Sequence, residues 1–542
     1  MEAADVVVSD APPRPAGRAE ERQAGRSPSD GARLMGSTAG TALGWMVPLA
    51  AGVVLAAGVL LRFWTRSDLW LDEALTVNIA RLPVGQIAAA LRHDGSPPLY
   101  YYLLHYWMAA FGTGDLAVRS LSGVLGVISL PLAWLCGRRL GGRAVAWACL
   151  LLVASSPFAV RYSTENRMYM LIVALTLVGY LSLDTALRRR SPAALVGVAV
   201  VTGLLLLCHY WTLFLVAAVM VMLAWLAWRG QGAARANALG SLVAVVAGFA
   251  FLVPWLGIFW FQLRHTGTPW SQPASFSAMV NAVSDFAGGG TNEGRALGLL
   301  FFGLAGLGLF GLARDRWHIE LDLRTRPVGR AVGFVSGATL AIAIVAGFAL
   351  RSAFTERYAA VVFATFILLV AVGLTTLADR RVRLGVLAAA VAFGLAGAAT
   401  NVTTDRTQAG VIAAAIRAGA RPGDIVAYCP DQLGPSVSRL LGHDLEQVTY
   451  PRLTPPQRVD WVDYAKVNHA SDPTALATKL LALAGGNRSI WLVWSPDYRT
   501  FEGKCEALES AVAAKRPHSQ ALVLQNPTAY FEHANLDRFW PS

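Results

Sequence analysis

Long apolar runs, cut by short arginine-rich segments, recur along the chain from about residue 44 to residue 400. Most are near the ~20 residues that a helix needs to cross the hydrocarbon core of a bilayer. Hydropathy places eleven of them, at about 44–61, 118–135, 144–159, 168–186, 192–208, 212–228, 238–261, 296–313, 331–350, 359–378 and 384–400. The pattern predicts a polytopic α-helical membrane protein. Residues 1–40 carry no apolar periodicity and are rich in Ala, Arg, Pro, Gly and Ser, which predicts a disordered tail. This long basic head reads the first run as an uncleaved signal anchor. The run 99–112, LYYYLLHYWMAAFG, is short for a crossing and crowded with Tyr and Trp, so it is expected to lie flat at the lipid–water interface.

Beyond residue 400 the pattern changes. DIVAYC (424–429) and SIWLVW (489–494) read as buried strands, and 407–419 and 473–485 as helices. Strands alternating with helices predict a small α/β domain over 401–542. The expected organisation is a cytoplasmic tail (1–40), a membrane domain (41–400) and an extracytoplasmic domain (401–542). Cys429 and Cys505 lie in the last; a disulfide and two free thiols both fit the sequence.

Charge fixes the expected orientation. The clusters Arg138–Arg143, Arg188–Arg190, Arg229–Arg235, 314–330 and Arg380–Arg383 all fall on one side if the eleven runs cross, and only isolated arginines fall on the other. Basic clusters stay in the cytoplasm. The N-terminus is therefore expected inside, with residues 72, 165, 209, 357 and the C-terminal domain outside. Composition agrees with the membrane reading. Apolar residues make up 55% and charged residues 15% of the 542; a soluble surface needs about 25% charged, which rules out a wholly soluble protein. The net charge of +12 comes from 46 Lys+Arg against 34 Asp+Glu. It belongs to membrane boundaries and does not call for nucleic acid. The Arg, Ala and Gly bias fits a GC-rich bacterial genome, hence an inner (plasma) membrane.

The centres of the runs are nearly free of charge, and polar groups gather at their expected outer ends. LWLDEALTV (69–77) sets Asp72 beside Glu73 just after the first run. RHDGSPPLYY (92–101) carries His93, Asp94 and Tyr100 around a turn forced by Gly95 and Pro97-Pro98. RYSTENRMYML (161–171) carries Arg161, Glu165 and Arg167. His209 closes the fifth run, and Arg357-Tyr358 open the tenth. The stretch 262–295, with Gln262, Arg264, His265 and GGG at 288–290, reads as a polar loop able to act as a lid. Each feature has a bland reading: a helix N-terminus for the acid pair, an internal ion pair for Glu165, an interface anchor for His209, a snorkelling arginine for Arg357. Together they suit an anionic, lipid-carried substrate. Arginines hold a phosphate by charge-assisted bonds, and a carboxylate takes the proton of an attacking hydroxyl.

The acid pair after the first run, the H-x-G-x-P-P-L-Y-Y of 93–101, the arginine-marked turn after the second run and the R-Y of 357–358 resemble the GT-C membrane glycosyltransferases. The resemblance is to bacterial relatives of protein O-mannosyltransferases and lipid A aminoarabinose transferases. It covers about 45–400, most strongly 68–170. It implies a polyprenyl-phosphate-linked sugar donor, an extracytoplasmic active site and inversion at the anomeric carbon. It also implies Asp72 as catalytic base, Glu73 beside it positioning the acceptor or a metal, and Arg357 on the donor phosphate. Arg161 and Arg167 join Arg357 as phosphate binders. His93, Asp94, Tyr100, Glu165, His209 and Tyr358 are candidate substrate contacts. No β-trefoil insert is present, so protein acceptors are not indicated. No metal-ligand set can be mapped, and a divalent metal is neither required nor excluded. The expected function is inverting transfer of mannose or a pentose to a hydroxyl of an envelope glycan or lipid. Its rivals are a lipid or glycan transporter and a non-catalytic assembly factor.

Overall fold

The computed structural model describes residues 35–267, 275–350, 356–496 and 498–541. Residues 1–34 of the expected disordered tail lie outside these. Residues 35–40 belong to the first helix, α1 (Met35–Leu61). The chain divides into two units at Gly52, and the second, from Val53 on, holds the helical bundle and the C-terminal domain.

After α1 come three short helices: α2 (Leu71–Ala80), α3 (Val84–Asp94) and α4 (Leu99–Phe111). The bundle continues with α5 (Asp115–Ser155), α6 (Pro157–Ser163), α7 (Tyr169–Arg188), α8 (Pro192–Leu206), α9 (Thr212–Arg229), α10 (Gly232–Gly248), α11 (Leu256–His265) and α12 (Phe276–Asp285). It closes with α13 (Asn292–Phe310), α14 (Pro327–Leu350), α15 (Ala360–Leu374) and α16 (Arg380–Thr403). Eight helical segments among the described residues are long and apolar enough to cross a membrane. The expectation of eleven crossings needs three more. The runs that would have to supply them are the shorter apolar helices Trp45–Leu61 and Pro192–Leu206 and the second arm of α5. That helix joins the runs 118–135 and 144–159. It doubles back at Gly141-Gly142, where Gly142 takes φ +80°, a conformation glycine enters without a Cβ clash. A Cβ on Gly137 would lie 2.9 Å from the backbone of Ala146, so the two arms pack closely.

Helix α15 forms the centre of the bundle. It is apolar on every side but for Thr365, whose hydroxyl accepts from Ser336 at 2.7 Å, and every residue from Ala360 to Leu374 is buried, as such a helix must be. Small residues let its neighbours approach: a Cβ on Gly373 would sit 1.7 Å from the Leu304 carbonyl oxygen of α13. α4, at 13 residues, is too short to span and packs against α2 and α5.

The stretch 262–295 is not one long loop. α11 runs to His265, and Ser275 caps α12 by accepting the Ala278 N–H at 3.1 Å, so the amphipathic run after it folds as helix. Residues 268–274 lie outside the described residues. Part of the arginine-rich link 313–330 pairs as an antiparallel ribbon, β1 (Gly311–Ala313) with β2 (Ile319–Leu321).

Beyond α16 the chain builds an α/β domain. Its elements are α17 (Ala409–Gly419), β3 (Ile425–Cys429), α18 (Gly434–Ser438), β4 (Glu446–Thr449), α19 (Tyr464–Ala470), α20 (Pro473–Ala484), β5 (Ile490–Trp494), α21 (Lys504–Ala513), β6 (His518–Val523) and β7 (Asn535–Trp540). The sheet order is β4-β3-β5-β7-β6. β4, β3 and β5 are parallel, and β7 and β6 antiparallel. The central strands are apolar on both faces because both are covered. Val426, Tyr428 and Val493 meet α17 and α18; Ile425, Ala427 and Leu492 meet α20 and α21. Cys429 and Cys505 are disulfide-bonded, which resolves the two readings the sequence allowed. Trp70 and Leu71, at the start of α2, belong to the α20–α21 layer. The domain core thus extends into the connection that follows the first helix.

Candidate active site

Adjacent residues of a helix point about 100° apart. At the N-terminus of α2 this sends two neighbouring carboxylates to different places. Glu73 is fully buried and forms a fork with Arg119: Nε to Oε1 at 2.7 Å and Nη2 to Oε2 at 2.6 Å. It also accepts the Asn166 N–H at 2.9 Å. Burial raises its pKa, but Arg119, Arg406 and the Asn166 N–H outweigh burial and hold it below the usual glutamate range. Arg119 further clamps the Ser67 and Asp68 carbonyls. Glu73 is thus saturated by protein partners and is not among the residues that line the cavity described below.

Asp72 points the other way. Its Oδ2 lies 3.1 Å from Arg357 Nη1 and 4.0 Å from Arg167 Nε. Arg357 sits over the Trp70 ring, 5.4 Å from its centroid. Arg167 Nη1 donates to Thr76 Oγ1 at 2.7 Å and to Tyr101 Oη at 3.3 Å. The Tyr101 hydroxyl donates to Asp94 at 2.8 Å, and burial raises the Asp94 carboxyl. The His209 ring lies 4.8 Å from that of Tyr358, and its Nδ1 accepts the Trp211 N–H. Burial and then the charges of Arg167 and Arg357 lower His209 to about 3, so it is a neutral ring here.

Beside this group lies a cavity of about 190 Å³ lined by Trp70, Arg161, Glu165, Asp285, Glu356, Arg357 and Phe531, among others. Arg161 Nε lies 3.3 Å from Glu165. Asp285 is pushed up to about 6 by burial and then by the neighbouring Glu356. Several buried atoms here make no hydrogen bond among the described residues: Asp72 Oδ2, Trp70 Nε1, Tyr169 Oη and Arg167 Nε. Buried polar atoms are ordinarily paired, so their concentration at one place makes this the candidate site. Among the described residues no three of His, Cys, Asp or Glu are arranged to hold a metal ion. The carboxylates face arginines instead.

The structure therefore gathers Asp72, Asp94, Arg161, Glu165, Arg167, His209, Arg357 and Tyr358. Three candidates stand apart. Glu73 is turned into the protein. Tyr100 is buried, with its hydroxyl bonded to Ser122 and Asn166; it braces the 161–168 segment. His93 is on the surface and bonds Asp460 at 2.9 Å. Arg119 belongs to the site's support and is absent from the sequence-based candidates, although an arginine just inside an apolar run is a usable signal. Trp70, Asp285, Glu356, Arg406 and Glu532 are likewise absent from them. Glu532 accepts the Leu71 N–H at the start of α2 from 461 positions away, a pairing with no local signal.

The sequence pattern of the dolichyl-phosphate-mannose-protein mannosyltransferase family matches residues 95–258, under a third of the chain. No curated protein matches the chain in sequence. The solved structures similar in fold include two of ArnT. The ArnT of Cupriavidus metallidurans in the apo state is 15% identical, with a TM-score of 0.56, covering 92% of this chain and 98% of that one. The same ArnT bound to undecaprenyl phosphate is 14% identical, with a TM-score of 0.55, covering 91% and 98%. At this level of identity the likeness is one of fold: the chain shares the fold of these two structures over nearly its whole length.

Proposed function

We propose that the protein is a glycosyltransferase of the bacterial inner membrane. It moves mannose or a pentose from a polyprenyl-phosphate carrier to a hydroxyl of an envelope glycan or lipid. The active site lies on the outer face, with the N-terminus in the cytoplasm and the C-terminal domain outside. The observation that carries this reading is the Asp72 carboxylate 3.1 Å from Arg357 and 4.0 Å from Arg167, beside a cavity that also presents Arg161. The similar proteins support the donor class: the matching family is named for dolichyl-phosphate-mannose, and one ArnT structure holds undecaprenyl phosphate.

The resting Asp72–Arg357 pair gives the order of events. A donor phosphodiester is a bidentate partner for a guanidinium, so its arrival draws Arg357 away from Asp72. Asp72 is then free to take the acceptor hydroxyl's proton as that oxygen attacks the sugar's C1. The C1–O bond to phosphate breaks, its electrons stay on the phosphate oxygen, and the arginines balance the charge that forms. One base suffices for a single inverting displacement, and Glu73 takes no part in the chemistry.

The test is turnover by the purified protein in lipid nanodiscs. It would be offered polyprenyl-phosphate mannose or a polyprenyl-phosphate pentose, with an envelope extract as acceptor. Loss of sugar from one donor, with release of polyprenyl phosphate, is expected. Movement of intact donor between leaflets in sealed proteoliposomes, without release of polyprenyl phosphate, would favour the transporter reading.

A further inference from the structure

A second, larger space lies between the last turn of α2 with α3 and the C-terminal domain's 451–468 segment. It is a cleft of about 830 Å³. Its walls mix apolar residues such as Ile79, Leu82 and Val459 with polar and charged ones. Arg81, just past the end of α2, and Arg452 and Arg458 from the domain all line it. Asp460 is engaged by Arg452 at 2.6 Å and by His93 at 2.9 Å. No ion pair or side-chain hydrogen bond engages Arg81 or Arg458 among the described residues. The other lining acid, Asp431, is buried and accepts the Tyr464 hydroxyl at 2.5 Å. Burial pushes it up to about 7, so it is only partly ionised near neutrality. Asn468, which also lines the cleft, has a buried Oδ1 without a hydrogen-bond partner among the described residues.

We propose that this cleft, framed by Arg81, Arg452 and Arg458, binds an anionic saccharide, and that this saccharide is part of the acceptor. Three guanidiniums around a cleft too large for one ion select a chain bearing spaced carboxylates or phosphates. The amide, tyrosine and buried acid groups supply the directional contacts that sugar hydroxyls need. The cleft is also coupled to the chemistry by one rigid element. Asn78 and Arg81 line it from the same helix and its C-terminal cap, and that helix carries Asp72 six and nine residues earlier, or ~9 and ~14 Å along the axis. Asn78 Nδ2 donates to the Gln457 carbonyl at 2.7 Å, which ties the wall from the domain to that helix. A short oligosaccharide seated in the cleft can therefore present one end toward Asp72. This assignment rests on the transferase reading and adds to it the acceptor's charge.

The test uses the full chain in nanodiscs and measures binding by calorimetry. The probes are trigalacturonate, mannose 6-phosphate and neutral maltotriose. At low salt, trigalacturonate or mannose 6-phosphate should bind at least tenfold more tightly than maltotriose, and the advantage should shrink at high salt. The arm that binds tells whether carboxylate or phosphate is the recognised group. The Arg81→Gln/Arg458→Gln double variant should lose at least tenfold in that affinity, while undecaprenyl phosphate binding stays unchanged. Equal binding of maltotriose, no binding of either anion, or an unaffected double variant would overturn the assignment. Those outcomes leave donor turnover intact, so they are distinct from failure of the transferase reading, in which no donor is consumed.

Discussion

Asp72 and Glu73 have the same chemistry and adjacent positions, and their surroundings give them opposite roles. Glu73 is held by a buried fork from Arg119 and a backbone N–H. Removing one partner of such a pair leaves the other charge buried and unpaired, which typically costs about 3–5 kcal/mol. Glu73→Gln is therefore expected to lower the unfolding midpoint in detergent clearly, as is Arg119→Met. The double variant should recover part of the loss, because it leaves neither charge alone. A Glu73→Gln protein with unchanged thermal stability would show that the fork contributes nothing. The acid pair itself is legible in the sequence, as are the arginines opposite it. Which acid faces Arg167 and Arg357, and which the buried Arg119, is not, because that depends on the rotation of α2. Trp70 and Leu71 fix that rotation from within the C-terminal domain's core.

Among the elements, α2 joins the chemistry to the rest of the fold. It starts in the C-terminal domain's apolar layer, carries Asp72 in its first turn and borders the arginine-framed cleft in its last. Its first N–H is taken by Glu532 at 3.2 Å, whose other oxygen accepts the Ser436 hydroxyl at 2.8 Å. A carboxylate suits the positive end of a helix, yet burial first, and the nearby Asp72 charge after it, push Glu532 up to about 7. The folded protein thus holds this proton more tightly than the unfolded chain does. Its contribution is greatest below the ordinary glutamate range, about 4.3. It is lost as pH rises through about 7 and is flat beyond. Glu532→Gln removes the titration while keeping an acceptor for Leu71. It should raise the melting temperature relative to wild type at pH 8, and the gap should close by pH 5. A gap that is the same at both values would contradict this. The two central strands and two main helices of the domain are readable from apolar runs of the right length. The helix inside 262–295 is obscured by surrounding polar residues, although the Ser275 cap is there to read.

Across the whole chain, the alternation of apolar runs and arginine clusters carries most of the architecture. The membrane fold and the C-terminal sheet domain follow from it. What it leaves out is the return of the chain's end to its beginning. Glu532, Phe531 and Arg406 reach the residues around α2 across more than three hundred positions, and no periodicity encodes contacts of that range. The arginines predict an orientation, and that prediction is directly testable. The three free cysteines, Cys136, Cys149 and Cys208, are buried. A membrane-impermeant maleimide added to intact cells should therefore report only introduced thiols. It is expected to label Asn487→Cys in the C-terminal domain and to leave Arg189→Cys unlabelled until the membrane is opened. The reverse pattern would invert the protein and place its site in the cytoplasm.

Asp72 is proposed as the base of a sugar transfer whose donor phosphate is held by Arg357, and everything else in the mechanism depends on that role. Asp72→Asn keeps the side chain's shape and its ability to start a helix, and removes only the base. General-base assistance is typically worth roughly 10²–10⁴ in rate, or about 3–5 kcal/mol. The decisive measurement is single-turnover transfer by the variant in nanodiscs with saturating donor, alongside donor binding by the same preparation. A rate lower by about 10²–10⁴ is expected, with donor affinity retained or improved, since Arg357 no longer has a carboxylate to leave. Transfer at the wild-type rate by the inserted, folded variant would contradict the assignment and return Asp72 to the role of a helix-starting residue.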